Sequence, residues 1–197
     1  VLGGATQRAN VRDGWAILDT NGRNVTVAEG LLHSNIEGDA AIDGGVVKNG
    51  SGTLTLTGTS TYTGPTTVAA GTLALGGTAE INGTSGITVD GSGAKFIQAS
   101  TTAIVPPLEL THGSLDGTGT IATVNVADSA ANTLGAGNGA AGTLTITNLN
   151  FFGAATLNLR ANGPDMDQSI TSEILSTTGP APIVVNVANS AGFWTSG

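Results

Sequence analysis

The stretch Gly52-Thr53-Leu54-Thr55-Leu56-Thr57-Gly58, which returns as Gly71-Thr72-Leu73-Ala74-Leu75-Gly76, decides the fold. Leucine occupies every second position, threonine or alanine fills the positions between, and glycine closes both ends. Strict alternation over so short a span is the signature of a half-buried strand. Threonine is β-branched, favours extended backbone and turns a hydroxyl to water, so leucine faces a core and threonine faces solvent. The template recurs at Gly142-Thr143-Leu144-Thr145-Ile146-Thr147 and at Ala155-Thr156-Leu157-Asn158-Leu159. Further alternating strands read at 24–27, 67–69, 87–89, 108–110, 124–126, 149–152 and 183–187. No stretch keeps helical spacing, and almost no helix is expected.

Thr53 and Thr72 stand nineteen positions apart, near the lower edge of the roughly 20–50-residue periods that mark solenoids. One β-helical coil takes about that length. Coils stacked about 4.8 Å apart would set each leucine over the next, with glycine supplying positive φ where the chain bends. Uneven spacing of the remaining strands predicts coils of unequal length. A parallel β-solenoid is therefore the expected fold, with an antiparallel β-sandwich as the alternative. Sandwich cores usually recruit aromatic residues, and these make up 4% of the chain.

Composition agrees with one elongated domain over residues 1–197. Hydrophobic residues are 39% of the chain, enough for a continuous core. Charged residues are only 10%, against about 25% in ordinary globular proteins. A mean hydropathy of +0.19 separates the chain from disordered sequences, which combine low hydrophobicity with high charge. Net charge is −8, and the basic residues Arg8, Arg12, Arg23, Lys48, Lys95 and Arg160 are scattered. No phosphate-binding patch arises from adjacent positions, so nucleic acid is not an expected partner. There is no cysteine, which removes disulfides and thiolate metal sites. No apolar run approaches the roughly 18 residues of a membrane span. Val1-Leu2-Gly3-Gly4 carries no initiator Met and no basic leader, so the expectation is a fragment or processed piece of a longer exported protein. Both ends, 1–16 with Trp15 and 188–197 with Phe193 and Trp194, read as caps or junctions. Pro106-Pro107 reads as a corner or a strand start.

Lys48-Asn49-Gly50-Ser51-Gly52-Thr53-Leu54-Thr55-Leu56-Thr57-Gly58, followed by Tyr62-Thr63-Gly64-Pro65-Thr66-Thr67 and Gly71-Thr72-Leu73, resembles the autotransporter-associated β-strand repeat, also called the passenger-associated repeat. The chain departs from the usual form by placing Pro65 where a second glycine is common. Gly117-Thr118-Gly119-Thr120-Ile121, Gly135-Ala136-Gly137-Asn138 with Gly142-Thr143-Leu144, and Ala155-Thr156-Leu157-Asn158-Leu159 resemble the tail that often follows such a repeat. The resemblance implies a right-handed parallel β-helix, exported and displayed at a bacterial cell surface as stalk, scaffold or adhesin. The family repeat brings no catalytic residues to carry over, so no enzymatic activity and no cofactor are expected.

Asp165 and Asp167, beside Gly163-Pro164, are the best local place for calcium, and a solvated loop is the plainer reading. Glu37, Asp39 and Asp43 form a second loose acidic cluster, read as a polar turn. His33 and His112 are distant in sequence and suggest no triad, so each is read as an exposed loop histidine. Thr53, Thr55, Thr57, Thr143, Thr145 and Thr147 fit an ice-binding row locally, but Ala74, Glu109 and Asn125 break it. Asn24-Val25-Thr26, Asn49-Gly50-Ser51 and Asn82-Gly83-Thr84 match the glycosylation pattern that arises often by chance. Tyr62 and the two tryptophans read as packing or capping residues in preference to sugar platforms. No catalytic, cofactor-binding or metal residue is assigned. The expected function is a non-catalytic structural or adhesive module that contacts copies of itself, neighbouring surface proteins or glycans, with a carbohydrate-active β-helix enzyme or a carbohydrate- or ice-binding face as alternatives. End-to-end assembly into filaments is its specific form.

Overall fold

In the computed structural model of the chain, which describes residues 9–162 and 165–189, Thr53 pairs in parallel with Thr72 and Leu54 with Leu73. The nineteen-residue offset is thus one coil. The chain is a β-solenoid of about seven turns, built almost wholly from parallel pairs. The sandwich alternative falls, because its strands would oppose one another.

Two regular stacks and one irregular stack make the walls. The first holds Ala16–Asp19, Val46–Asn49, Thr66–Val68 and then residues 87–90, 108–110, 124–126, 148–151 and 174–177. The second holds Val25–Val27, Thr53–Leu56, Thr72–Gly77, residues 95–100 and 114–117, Thr133–Gly135, Ala155–Asn162 and Ile183–Asn189. The third pairs Ala9–Val11 with Leu31–His33, continues through single bridges at Thr59–Glu80 and Ile104–Ile121, and becomes regular again at 145–146 and 171–172. Coil length varies from sixteen residues between Leu108 and Val124 to thirty between Ala16 and Val46. Among the described residues the one helical segment is a single 3-10 turn, Gly137–Gly139.

Alternation converts directly into columns. On the second stack Val25, Leu54, Leu73, Phe96, Leu115, Leu134, Leu157 and Val185 lie one above another, and those from Leu54 to Leu134 are buried. On the first stack Leu18, Lys48, Val68, Val89, Leu110, Val126 and Phe151 do the same. Lys48 is the exception in that row, and its ammonium donates to the carbonyls of Asn49 and Gly50 at 2.7 Å and of Ala70 at 3.0 Å. A second buried polar group is handled in the same spirit. Tyr62 Oη lies 2.6 Å from Thr66 Oγ1, which donates to Thr84 Oγ1 at 3.0 Å, and Thr84 donates to the Gly64 carbonyl at 2.7 Å. Burial pushes the Tyr62 phenol up to about 12.

Outward positions carry their own ladders. Asn125 Nδ2 donates to Glu109 Oε1 at 2.6 Å, Asn150 Nδ2 to Asn125 Oδ1 at 2.9 Å, and Ser176 Oγ to Asn150 Oδ1 at 2.6 Å. Side chains repeated at coil spacing thereby satisfy one another along the rod axis. At the corners glycine is required where coils touch. Gly45 and Gly71 have φ of 88° and 62°, and a Cβ on either would run into the backbone of the adjacent coil.

Residues 9–11 and 16–19 are strands of the first coil, with Val11 only 2% exposed, and residues 188 and 189 continue the strand Ile183–Asn189. Residues 1–8 and 190–197, with Arg8, Phe193 and Trp194, lie outside the described residues. In the last described coil Leu175 and Val185 extend inward columns yet are 64% and 57% exposed.

Candidate functional site

The longest coil owes its length to residues 34–45, between the strands Leu31–His33 and Val46–Asn49. This insertion is pinned by Asp43. Its Oδ1 accepts the amides of Gly64 at 2.8 Å and Gly45 at 3.1 Å, and its Oδ2 accepts the Thr63 amide at 2.8 Å. The same Oδ2 takes His33 Nδ1 at 3.0 Å, while Thr63 Oγ1 donates to it at 3.2 Å. Burial works to raise the Asp43 pKa, but the amides of Thr63 and Gly64, the His33 ring and the Gly45 amide outweigh it and leave the carboxyl below its ordinary value. The carboxylate therefore joins the insertion to the turn of the following coil.

A second acid ties the insertion to the preceding coil. Arg12 Nε donates to both oxygens of Asp39, at 2.9 and 3.1 Å, and Ser34 Oγ donates to Oδ2 at 2.5 Å. Hydrogen bonds from Arg12, then from Ser34, lower the Asp39 pKa from 3.8 to about 2. A depressed carboxyl contributes stability at pH above its unfolded value and loses it as pH falls through its folded value. The urea midpoint of the chain is expected to decline as pH drops from 3.8 toward about 2, and Asp39→Asn is expected to flatten that decline. Titrated urea denaturation of both proteins checks it, and an unchanged slope in the variant contradicts it.

Beside the insertion lies a groove of about 530 Å³ lined by Asn10, Leu32, His33, Asn35, Ile36, Thr61 and Thr63. Asp43 orients the imidazole through the hydrogen bond at Nδ1, so Nε2 is the ring nitrogen left for any other partner. A general-base site needs a hydroxyl on that second nitrogen. Among the described residues no hydrogen bond to Nε2 is formed, and what the groove offers is a row of amide, hydroxyl and imidazole groups over two aliphatic side chains. The groups of three or more His, Cys, Asp and Glu that would hold a metal ion are absent among the described residues.

The structure redraws several sequence readings. His33 is not an exposed loop residue: it ends a strand and is paired, whereas His112 sits half-buried in the strand Leu108–Gly117. Of the acidic cluster only Glu37 fits a polar turn, since Asp39 and Asp43 are bonded across coils. Asp167 is no solvated residue, because Arg160 holds it from Nε at 3.0 Å and from Nη2 at 2.7 Å. The basic partner of Asp167 stands seven residues before it in the chain. Asp165 lies in the short strand Asp165–Met166, and its side chain is outside the described set. Tyr62 is fully buried, as a packing residue should be, but Trp15 is half exposed. Asn24 and Asn82 are used by the fold, accepting the amides of Thr53 at 3.1 Å and Val105 at 3.0 Å. The threonine row is interrupted where Lys95 follows Thr72 and Ile97 follows Ala74. Lys48 went unread as a core residue. Its signal was parity, since it stands two positions after Val46 on the inward side.

These two coils, with Lys48 turned inward, paired leucines nineteen positions apart and glycines at the corners, are what the comparison with known families finds. Residues 46–75 match the model of the passenger-associated-transport-repeat family. No curated protein and no solved structure matches the chain. The matched segment holds Val46–Asn49, Thr53–Leu56, Thr66–Val68 and most of Thr72–Gly77, two successive strands on each of two walls. A passenger repeat implies a surface or exported protein. Among the described residues no helix is long and apolar enough to cross a membrane.

Proposed function

We propose that the chain is a non-catalytic structural and adhesive module of a bacterial surface protein, displayed outside the cell as a rod whose ends stack on copies of itself. The observation that carries the reading is that the passenger repeat is continuous with the coils before and after it. Residues 46–75 share unbroken inward columns with strands from residue 16 to residue 151. A rod built this way transmits position along its length and presents its lateral faces to neighbours.

End-to-end contact is supported by the last described coil. Leu175 and Val185 are exposed there although they belong to inward columns, and Val187 beside them is 49% exposed. At the other end Val25 heads the second-stack column and is 41% exposed. Parallel strand edges with apolar inward positions are what another coil would cover. Contact of one end with the opposite end does not close and therefore extends into filaments. Sedimentation velocity and negative-stain electron microscopy over a concentration series are expected to show lengthening rods, and the Leu175→Lys, Val185→Lys double variant is expected to remain monomeric with an unchanged circular-dichroism spectrum. Monomers of the unaltered chain at every concentration would contradict end-to-end assembly.

A further inference from the structure

A second groove, of about 350 Å³, opens on the outward face of the second stack beneath the turn that contains Gly137–Gly139. The outward row beneath it runs Ile97, Asp116, Gly135, Asn158 and Asn186 at successive coils. Asp116 and Gly135 sit level in their coils, because Ser114 and Leu115 pair with Thr133 and Leu134. Gly135 leaves a gap in this row between two polar side chains. It is not among the glycines with positive φ. A Cβ there would stand 3.3–3.4 Å from the Asp116 carboxylate, a tight contact, and 3.5 Å from the Asn158 carbonyl, so the backbone does not demand glycine but a side chain would press on Asp116. What the glycine provides is room for the Asp116 carboxylate and an open groove in front of it.

Around that space the charges are matched. Lys95 Nζ lies 3.1 Å from Asp116 Oδ2 and donates to Asn138 Oδ1 at 2.9 Å. Arg160 is paired with Asp167 and also donates to the Gly139 carbonyl at 2.6 Å. Two of the six basic residues of the chain thus converge on one groove, each with its own acid. The sum is neutral, so the groove has no excess charge with which to hold a phosphate, sulfate or uronate. Its floor is a sheet face whose backbone amides are consumed by coil pairing, so an extended peptide finds no main-chain partners there. Asn158 Oδ1 accepts from Asn186 at 3.1 Å, and its Nδ2 makes no hydrogen bond among the described residues. Leu159 and Ala136 add apolar surface alongside. Carboxylate, ammonium, guanidinium and amide groups at fixed separations, neutral in sum and edged by aliphatic carbon, complement a ligand dense in hydroxyls that both donate and accept.

We infer that the Gly135 groove is a binding site for a neutral saccharide, with Asp116, Lys95, Asn158 and Arg160 as its hydrogen-bonding groups and Gly135 as the residue that admits the ring. This site is independent of end-to-end assembly, and its failure leaves the rod reading intact. The test is a printed array of neutral hexose and N-acetylhexosamine oligosaccharides beside uronate-containing and sulfated ones, followed by amide chemical-shift mapping with the strongest neutral binder. Binding to neutral members is expected, with shifts centred on Gly135, Asn158 and Arg160. Gly135→Val, which fills the gap with a residue suited to a strand, is expected to weaken binding by roughly tenfold or more while the protein keeps its circular-dichroism spectrum. Gly135→Ser serves as a smaller filler should valine disturb the coil, and His33→Ala, in the other groove, is expected to bind as the parent does. No neutral binding, binding confined to the anionic glycans, shifts centred on His33, or full retention in both Gly135 variants would each overturn the assignment.

Discussion

Phe96→Ala is expected to lower the unfolding free energy by about 3–5 kcal/mol, the largest effect of any single truncation in the chain. Phe96 is completely buried and stands in its column between Leu73 and Leu115, both of them buried as well. Removing the ring withdraws apolar surface from the core and leaves a void that the neighbouring coils can close only by moving along the rod axis. The ladders on either side resist that movement, because every coil is held by parallel pairs above and below. Phe152→Ala makes the matched control. Phe152 follows an inward Phe151 by one position, faces the other way and is 51% exposed, so its loss is expected to stay within about 0.5 kcal/mol. Urea denaturation of the two variants measures the difference. Equal effects would mean that parity does not separate inside from outside.

Lys48→Met ranks next, with an expected cost of about 2–4 kcal/mol. Methionine reproduces most of the apolar stem, and Lys48 sits between Leu18 and Val68 in an otherwise aliphatic column. What it cannot reproduce is the ammonium that closes the corner by donating to the carbonyls of Asn49, Gly50 and Ala70. Acceptors left without a donor carry a desolvation cost, and the substitution takes the ammonium from the part-buried carbonyls of Gly50 and Ala70, while the Asn49 carbonyl keeps the Thr20 amide. Burial lowers the pKa of this ammonium, against a smaller upward pull from the Asp19 carboxylate. Lys48→Arg is expected to be damaging as well, because a planar guanidinium does not fit a pocket built for a point charge. If Lys48→Met is neutral, the lysine contributes its stem alone and the corner is held by the backbone.

Much of the fold was legible because the physical signal was local. Leucine at every second position with threonine between states both the strand and its buried side, and the recurrence at Gly71-Thr72-Leu73 states the coil length. The strands Ala9–Val11 and Leu31–His33 escaped notice because each holds three residues and carries Asn10 or His33 where a longer pattern would continue. The site was less legible, for the reason that its bonds join coils. Asp43 meets His33 across an insertion and Thr63 across a full turn, and Asp39 meets Arg12 in the preceding coil. No spacing within the sequence encodes those meetings until the register of the coils is known. With the register in hand, Gly135 changes meaning too, from one turn-forming glycine among many to a gap in a polar row.

Register is therefore the quantity to measure, and the absence of native cysteine makes paired cysteine substitution a clean way to do it. Thr53→Cys with Thr72→Cys places two thiols on directly paired outward positions of adjacent coils, and Asn125→Cys with Asn150→Cys does so in a longer coil. Parallel neighbours about 4.8 Å apart lie within disulfide reach. Both pairs are expected to oxidise within the monomer, as intact mass and non-reducing electrophoresis report, while Thr53→Cys with Gly76→Cys stays reduced. Closure of the mismatched pair, or failure of both matched ones in a folded protein, would contradict the stacked parallel coils.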